Sequence, residues 1–304
     1  MTRRKPAVPV PGLAACAVLC AGMTSAIFLA GCAAPLKISA SADPLAVLQR
    51  GSLVYARLSG EAAREFASST LSADQAKKLL PVLSRTRLVA LGLGSLPAAD
   101  GSSAPGFQAC LIGDYPFRAA AMSLGADPSW KREKSGYFNA GLGLHAALPG
   151  PNLVLASSAG LEPLLASAKL PGFSPIPAKL AALASRELVI WIPEPFSGLA
   201  ATFLGEAMDI PARGILISAS ALAPNDYDAT IVFLMKDADS ARVYRPVLRL
   251  AWYGLARLLF GDAAEGALAA SFTVDGAEYR ASGVRLTGAG GGASVLQKFF
   301  SPTK

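Results

Sequence analysis

Strict alternation of side-chain character is what most limits the folds open to this chain. Along 227–235 every second residue, Tyr227, Ala229, Ile231, Phe233 and Met235, leaves the same side of an extended backbone. Leu268, Ala270, Phe272 and Val274 repeat the pattern, and Asp275-Gly276 follows as a two-residue turn whose glycine accepts the positive φ of a tight hairpin. Strands joined by such turns need no crossover helix. The expected architecture is therefore α+β, mostly antiparallel sheet with helices packed on one face.

The order of element types recurs along the chain. The first half reads as a strand at 53–58, helical sequence at 61–83, strands at 87–95 and 106–113, a helix at 116–125, strands at 137–148 and 152–157, and a helix at 160–168. The second half reads as a strand at 187–192, a helix at 196–208, and strands at 214–222 and 227–235. A long helix at 238–260, a hairpin at 267–286 and a last helix at 293–300 complete it. One assumption explains both runs, a tandem duplication of a βαββαββα-type unit, with residues 44–170 as the first repeat and 171–304 as the second. The proline-bearing stretch 171–177 marks the boundary. A chain of 304 residues with 52% hydrophobic content has ample material for a packed core.

The N-terminus runs from a basic Arg3-Arg4-Lys5, through an apolar stretch over about residues 13–30, to Leu29-Ala30-Gly31-Cys32. Basic, apolar, small, then cysteine resembles the lipobox of bacterial lipoproteins. That resemblance implies a signal peptide at 1–31, a diacylglyceryl- and palmitate-type modification at Cys32, and a short tether at 32–43. Each buried methylene contributes about 0.8 kcal/mol, so two or three acyl chains hold a soluble domain on a bilayer durably. The alternative is an uncleaved span, since the apolar run is just long enough to cross. Pro11-Gly12 and the small residues before Cys32 fit cleavage better. Lys5-Pro6 stands where a twin-arginine signal carries an apolar pair, which favours ordinary secretion. The expected location is the cell envelope, at the periplasmic face or the cell surface.

Charge and cysteine use agree with this address. The formal net charge is +7, and loss of Arg3, Arg4 and Lys5 with the signal leaves 25 basic against 21 acidic residues, or +4. So small a surplus excludes a dedicated nucleic-acid binder, which concentrates cations to neutralise phosphates. Cys16 and Cys20 lie in the signal, so an acylated Cys32 leaves Cys110 without a partner, reading as a small buried apolar residue in a strand.

A second resemblance rests on Asp43-Pro44-Leu45-Ala46-Val47-Leu48, on Leu53-Val54-Tyr55-Ala56-Arg57-Leu58 and on Gly113-Asp114-Tyr115-Pro116. These segments are similar to a group of uncharacterised lipoproteins of spirochaetes. The resemblance implies location and no activity.

Few constellations carry chemistry. Ala156-Ser157-Ser158-Ala159-Gly160 follows an apolar strand and precedes a helix, the context of a nucleophile elbow. The chain's one histidine, His145, precedes Ser158, against the order of that fold, and a serine-rich helix cap explains the same residues. Asp114, Asp127, Glu133 and Glu162 are the carboxylates nearest in sequence, and their spacing pairs none of them. A single imidazole builds no histidine-based metal site, and no cofactor is implied. Asn225-Asp226-Tyr227-Asp228 lacks the glycine and terminal glutamate of a calcium loop and reads as a hairpin turn. Gly288-Ala289-Gly290-Gly291-Gly292 lacks the lysine of a P-loop and reads as a connector. Lys131-Arg132-Glu133-Lys134 beside Trp130 reads as an exposed loop.

One helix stands apart, because Arg242, Arg245, Arg249 and Arg257 recur at spacings of three, four and eight and share roughly one face. Val247, Leu248, Ala251, Leu255, Leu258 and Leu259 are expected to pack on the sheet, leaving the arginines to solvent or to anionic headgroups or glycans. Trp252 and Tyr253 are expected near the flank of that stripe. Two readings follow. One is a non-enzymatic envelope lipoprotein that contacts membrane lipid through acylated Cys32, with an envelope protein or an anionic lipid or glycan as further partner. The other is an envelope esterase or glycan hydrolase centred near Ser158.

Overall fold

A computed structural model describes residues 43–70, 73–97, 103–170, 172–196, 210–223, 226–260 and 270–287. The strands among these form one continuous antiparallel sheet. They are β1 (Ser52–Ser59), β2 (Thr86–Pro97), β3 (Ser103–Gly113), β4 (Lys131–Glu133), β5 (Gly136–Asn139) and β6 (Leu144–Gly150). β7 (Leu153–Ser157), β8 (Leu188–Pro193), β9 (Ala212–Ala223), β10 (Asp226–Met235), β11 (Ser271–Asp275) and β12 (Glu278–Thr287) complete the set. The helices are α1 (Gly60–Thr70), α2 (Ala73–Leu83), α3 (Phe117–Ala126), α4 (Glu162–Lys169), α5 (Ala238–Val243) and α6 (Arg245–Phe260). The α+β class with a large antiparallel sheet is the one the alternation predicts.

The spatial order is β11-β12-β10-β9-β8-β1-β2-β3-β7-β6-β5-β4. β1 is central, paired to β2 on one side and to β8 on the other. Outward from that junction the order is β1, β2, β3, β7, β6 in one direction and β8, β9, β10, β12, β11 in the other. A helix follows the third strand of each run, α3 in the first and α5–α6 in the second. The first half adds β4 and β5 at its edge.

Helical cover extends beyond the single face expected. The first face carries α1, α2, α3, α5 and α6 through Ala63, Val82, Leu124, Ala241 and Trp252. The second carries α4 and short 3-10 turns at Pro44–Val47, Ala178–Leu180 and Leu183–Ser185, through Leu164, Leu45 and Leu180. The cause lies in the central strands, which are apolar on both sides. Ile190 and Ile192 face one core while Val189 and Trp191 face the other, and β7 is buried at all five positions. Such strands need a layer over each face.

Local chemistry fixes several joints. Gln108, fully buried on β3, accepts from Gln49 N at 2.8 Å and donates to Gln49 O and Ser52 Oγ at 3.0 Å each, tying the entry of β1 to its second neighbour. Gly214 lies under the Trp191 ring so closely that an added Cβ would fall 2.1 Å from a ring carbon. Pro246 splits the helix expected over 238–260 into α5 and α6 at Tyr244, because it has no N–H for the carbonyl four residues back and its ring opposes that carbonyl, whereas in the first turn of α6 no such bond is required. The strand expected over 137–148 is likewise two strands, β5 and β6, separated by a turn at Gly143, whose φ is 57°. Residues 197–208 of the helix expected over 196–208, the helix expected at 293–300, the start of the hairpin at 267–269 and the connector at 288–292 lie outside the described residues, as does Cys32.

Candidate functional site

Ser158 and His145 do not assemble a catalytic centre. Ser157, not Ser158, is the cross-strand partner of His145, so the Ser158 side chain leaves from the opposite face of the sheet. The Ser158 hydroxyl accepts from Phe107 N at 3.0 Å and faces Phe107 O, while His145 Nδ1 lies 3.0 Å from Glu133 Oε2 with its ring stacked on Phe138. Glu162 accepts from the Ser135 hydroxyl at 2.6 Å, a bond that holds its carboxyl below the usual range. Cys110 is fully buried, and desolvation drives its thiol pKa up, so it packs as a small apolar group. The run at 131–134 is not a loop: Lys131–Glu133 form the exposed edge strand β4, whose charges blunt an open sheet edge, and Trp130 is buried. Asp226 and Asp228 sit in β10 at the start of its pairing with β9, as a hairpin requires. Among the described residues no His, Cys, Asp and Glu cluster could hold a metal, and no helix is long and apolar enough to cross a membrane.

The arginine-bearing helices present a different arrangement from the one expected. α5 opens on Asp237, whose carboxylate accepts from Ser240 N at 2.7 Å, a bond that lowers its pKa. On α6, with about 3.6 residues per turn, Leu248, Trp252 and Ala256 form the inward stripe and are fully buried. Trp252 is thus a core anchor rather than a flanking residue. Val247 does not pack on the sheet as expected: it is 43% exposed, and with Val243 at 72% and Leu250 at 70% it forms an outward apolar row. Spacings of four and three keep these three side chains on one side. Leu255, Arg257, Leu258 and Leu259 belong to α6, but their side chains lie outside the described set.

Arg242, Arg245 and Arg249 are exposed on the side of these helices that meets the β11–β12 hairpin. Arg249 donates from Nε to the Tyr253 hydroxyl at 2.9 Å and lies over the rings of Tyr253 and Phe272 at 5.6 and 5.1 Å. Phe272 stacks on Tyr279 with centroids 5.6 Å apart. Arg242 faces Asp239 at 3.9 Å, an exposed pair that contributes little. A cleft of about 310 Å³ opens between the α5–α6 junction and the hairpin, lined by Arg242, Arg245, Val274 and Gly276. Tyr279 is fully buried on the same face, opposite Val274, and its hydroxyl has no hydrogen-bond partner. Burial raises its pKa, while the charges of Arg249 and Arg245 pull the other way.

Sequence reasoning missed the row of Val243, Val247 and Leu250 and the ring stack beneath Arg249. The signal for the row was present: those positions oppose Leu248 and Trp252 on a helical wheel.

No protein-family model matches the chain, and no curated protein matches it in sequence. Its fold is shared with solved structures of TP0453, a protein of the spirochaete Treponema pallidum. Crystal form III superimposes with a TM-score of 0.61 at 17% identity, covering 86% of this chain and 100% of that one. Crystal form I gives 0.61 at 16%, with the same coverage. Crystal form IV gives 0.57 at 16%, covering 86% and 98%. At such identities the likeness is one of fold.

Proposed function

We propose that this chain is a non-enzymatic lipoprotein of a bacterial envelope, held at a bilayer by acyl chains on Cys32, whose α5–α6 face rests on an anionic membrane surface. One observation carries the reading: Val243, Val247 and Leu250 form an exposed apolar row on a pair of helices that also carries the exposed Arg242, Arg245 and Arg249. In water that row is an uncompensated apolar surface. At a bilayer the three apolar side chains enter the headgroup–acyl boundary, and the guanidinium groups stay level with the phosphates. Each cation near an anionic surface adds about 1 kcal/mol.

The spirochaete fold relatives and the order basic, apolar, small, cysteine before Ala33 support the envelope address. The matching strand order outward from β1 and β8 supports a tandem duplication, residues 44–170 and 171–304, of which the second copy carries the membrane face. Under this reading Ser158 is a structural residue that ties β7 to β3.

Two measurements test the proposal. Clickable palmitate should label the wild-type chain in cells and not Cys32→Ser; equal labelling contradicts the anchor. The acyl-free chain from residue 33 should float with phosphatidylglycerol vesicles more than with phosphatidylcholine vesicles. Equal flotation of the Val247→Asp/Leu250→Asp chain contradicts the helix face.

A further inference from the structure

The cleft beside α5–α6 has a composition that the membrane face alone does not require. Its walls are Arg242 and Arg245 on one side and Val274 with the Gly276 turn on the other. Arg245 makes no hydrogen bond or ion pair among the described residues, and the single carboxylate near Arg242 is the highly exposed Asp239. Arg249, one turn further along α6, is held by the Tyr253 hydroxyl and two aromatic faces and so is not drawn into the cleft. Two guanidinium groups that line one cleft with so little carboxylate compensation repel one another, and an anion between them relieves that repulsion. Guanidinium is the group best matched to tetrahedral oxyanions, because its planar fork donates two parallel hydrogen bonds. Behind the Val274 wall the Tyr279 hydroxyl is a buried donor without an acceptor, the kind of group for which an unfilled polar role needs explaining. Gly276, at φ 54°, has open space around its Cβ position, so the hairpin turn leaves the mouth of the cleft clear.

We propose that this cleft is a binding site for one phosphate group, gripped by Arg242 and Arg245, with the Tyr279 hydroxyl as an inner donor when Val274 gives way. The phosphate belongs to a lipid headgroup or to a soluble phosphomonoester, two sources with the same recognition chemistry. The inference deepens the membrane-face reading but rests on the cleft and not on the apolar row, so the two fail separately.

The test uses the full chain in neutral detergent, titrated with inorganic phosphate and with glycerol 3-phosphate by calorimetry, with chloride held constant. Saturable binding at one site is expected, weakened at least tenfold by Arg245→Ala and less by Arg245→Lys. Tyr279→Phe should weaken it while leaving the unfolding temperature unchanged or higher. Arg118→Ala, which removes an exposed arginine from α3, should change nothing. Absence of saturable binding overturns the proposal, as does an equal loss in Arg118→Ala and Arg245→Ala. Competition by phosphatidylglycerol vesicles against glycerol 3-phosphate assigns the site to headgroups; its absence assigns it to soluble phosphate. Vesicle flotation that survives Arg245→Ala but not Leu250→Asp keeps the membrane face standing even if the cleft takes no phosphate.

Discussion

α3 and the α5–α6 pair hold equivalent places in the two halves, each between the third strand of its run and the hairpin that follows, and they differ on their outer surfaces. α3 buries Ala120, Ser123 and Leu124 and turns Arg118, Ala119, Gly125 and Ala126 to solvent, a small and polar exterior. α6 buries Leu248, Trp252 and Ala256 with comparable completeness, yet the outer side of its pair carries Val243, Val247 and Leu250. The inward stripes do the same work, covering a sheet. Only one of the two exteriors is apolar, and the proposed membrane contact rests on that asymmetry.

The inward equivalence can be broken most forcefully. Trp252→Ala should cost about 3–5 kcal/mol of unfolding free energy and Leu124→Ala about 2–5 kcal/mol, read from denaturant midpoints. A loss below about 1 kcal/mol at Trp252 would mean that α6 is not a structural counterpart of α3. The outward difference comes next. Val247→Asp/Leu250→Asp should reduce vesicle association by more than tenfold, since burying one such side chain is worth about 1.5–3 kcal/mol. Its effect on stability should stay within about 0.5 kcal/mol. Ala119→Asp on α3 should alter neither quantity.

A smaller effect sits under the helix. Tyr279→Phe should leave stability unchanged or raise it by less than about 1 kcal/mol, because it deletes a buried hydroxyl that satisfies nothing. The smallest concerns the caps: α3 begins at Pro116 with no side-chain cap bond, whereas α5 begins at the depressed carboxylate of Asp237. A carboxyl whose pKa is lowered in the folded state contributes stability above its unfolded pKa and loses it as pH falls through the folded one. Asp237→Asn retains the cap, so its slight deficit at neutral pH should vanish in acid, as thermal melts across pH 2–7 would show.

Much of the framework was readable because its residues face two ways with a fixed period. Tyr227 to Met235 is the strand that the alternation predicts, and the hairpin turn expected at Asp275-Gly276 falls one residue later, at Gly276-Ala277, because Asp275 still pairs with Glu278. Lys131–Glu133 escaped notice because an exposed edge strand has no apolar side and hence no alternation. Helices on both faces were missed because a strand such as Leu188–Pro193, apolar at every position, has no period to read. The phase of α6 failed for a related reason: with apolar residues around most of the helix, the arginines suggested an outer side. They in fact mark a flank, and Val247 went to the exterior. The cleft was beyond sequence reasoning, since it joins a helix junction to a hairpin more than 25 residues away.

The contrast between the two helices reduces to depth in a bilayer. Spin labels at position 250 of α6 and position 119 of α3, in the lipidated full chain on phosphatidylglycerol-containing vesicles, report that depth through collision with oxygen and with a water-soluble nickel chelate. The account predicts that position 250 gains oxygen contact and loses nickel contact when vesicles are added, while position 119 is unchanged. Equal and undiminished nickel contact at both positions would contradict it.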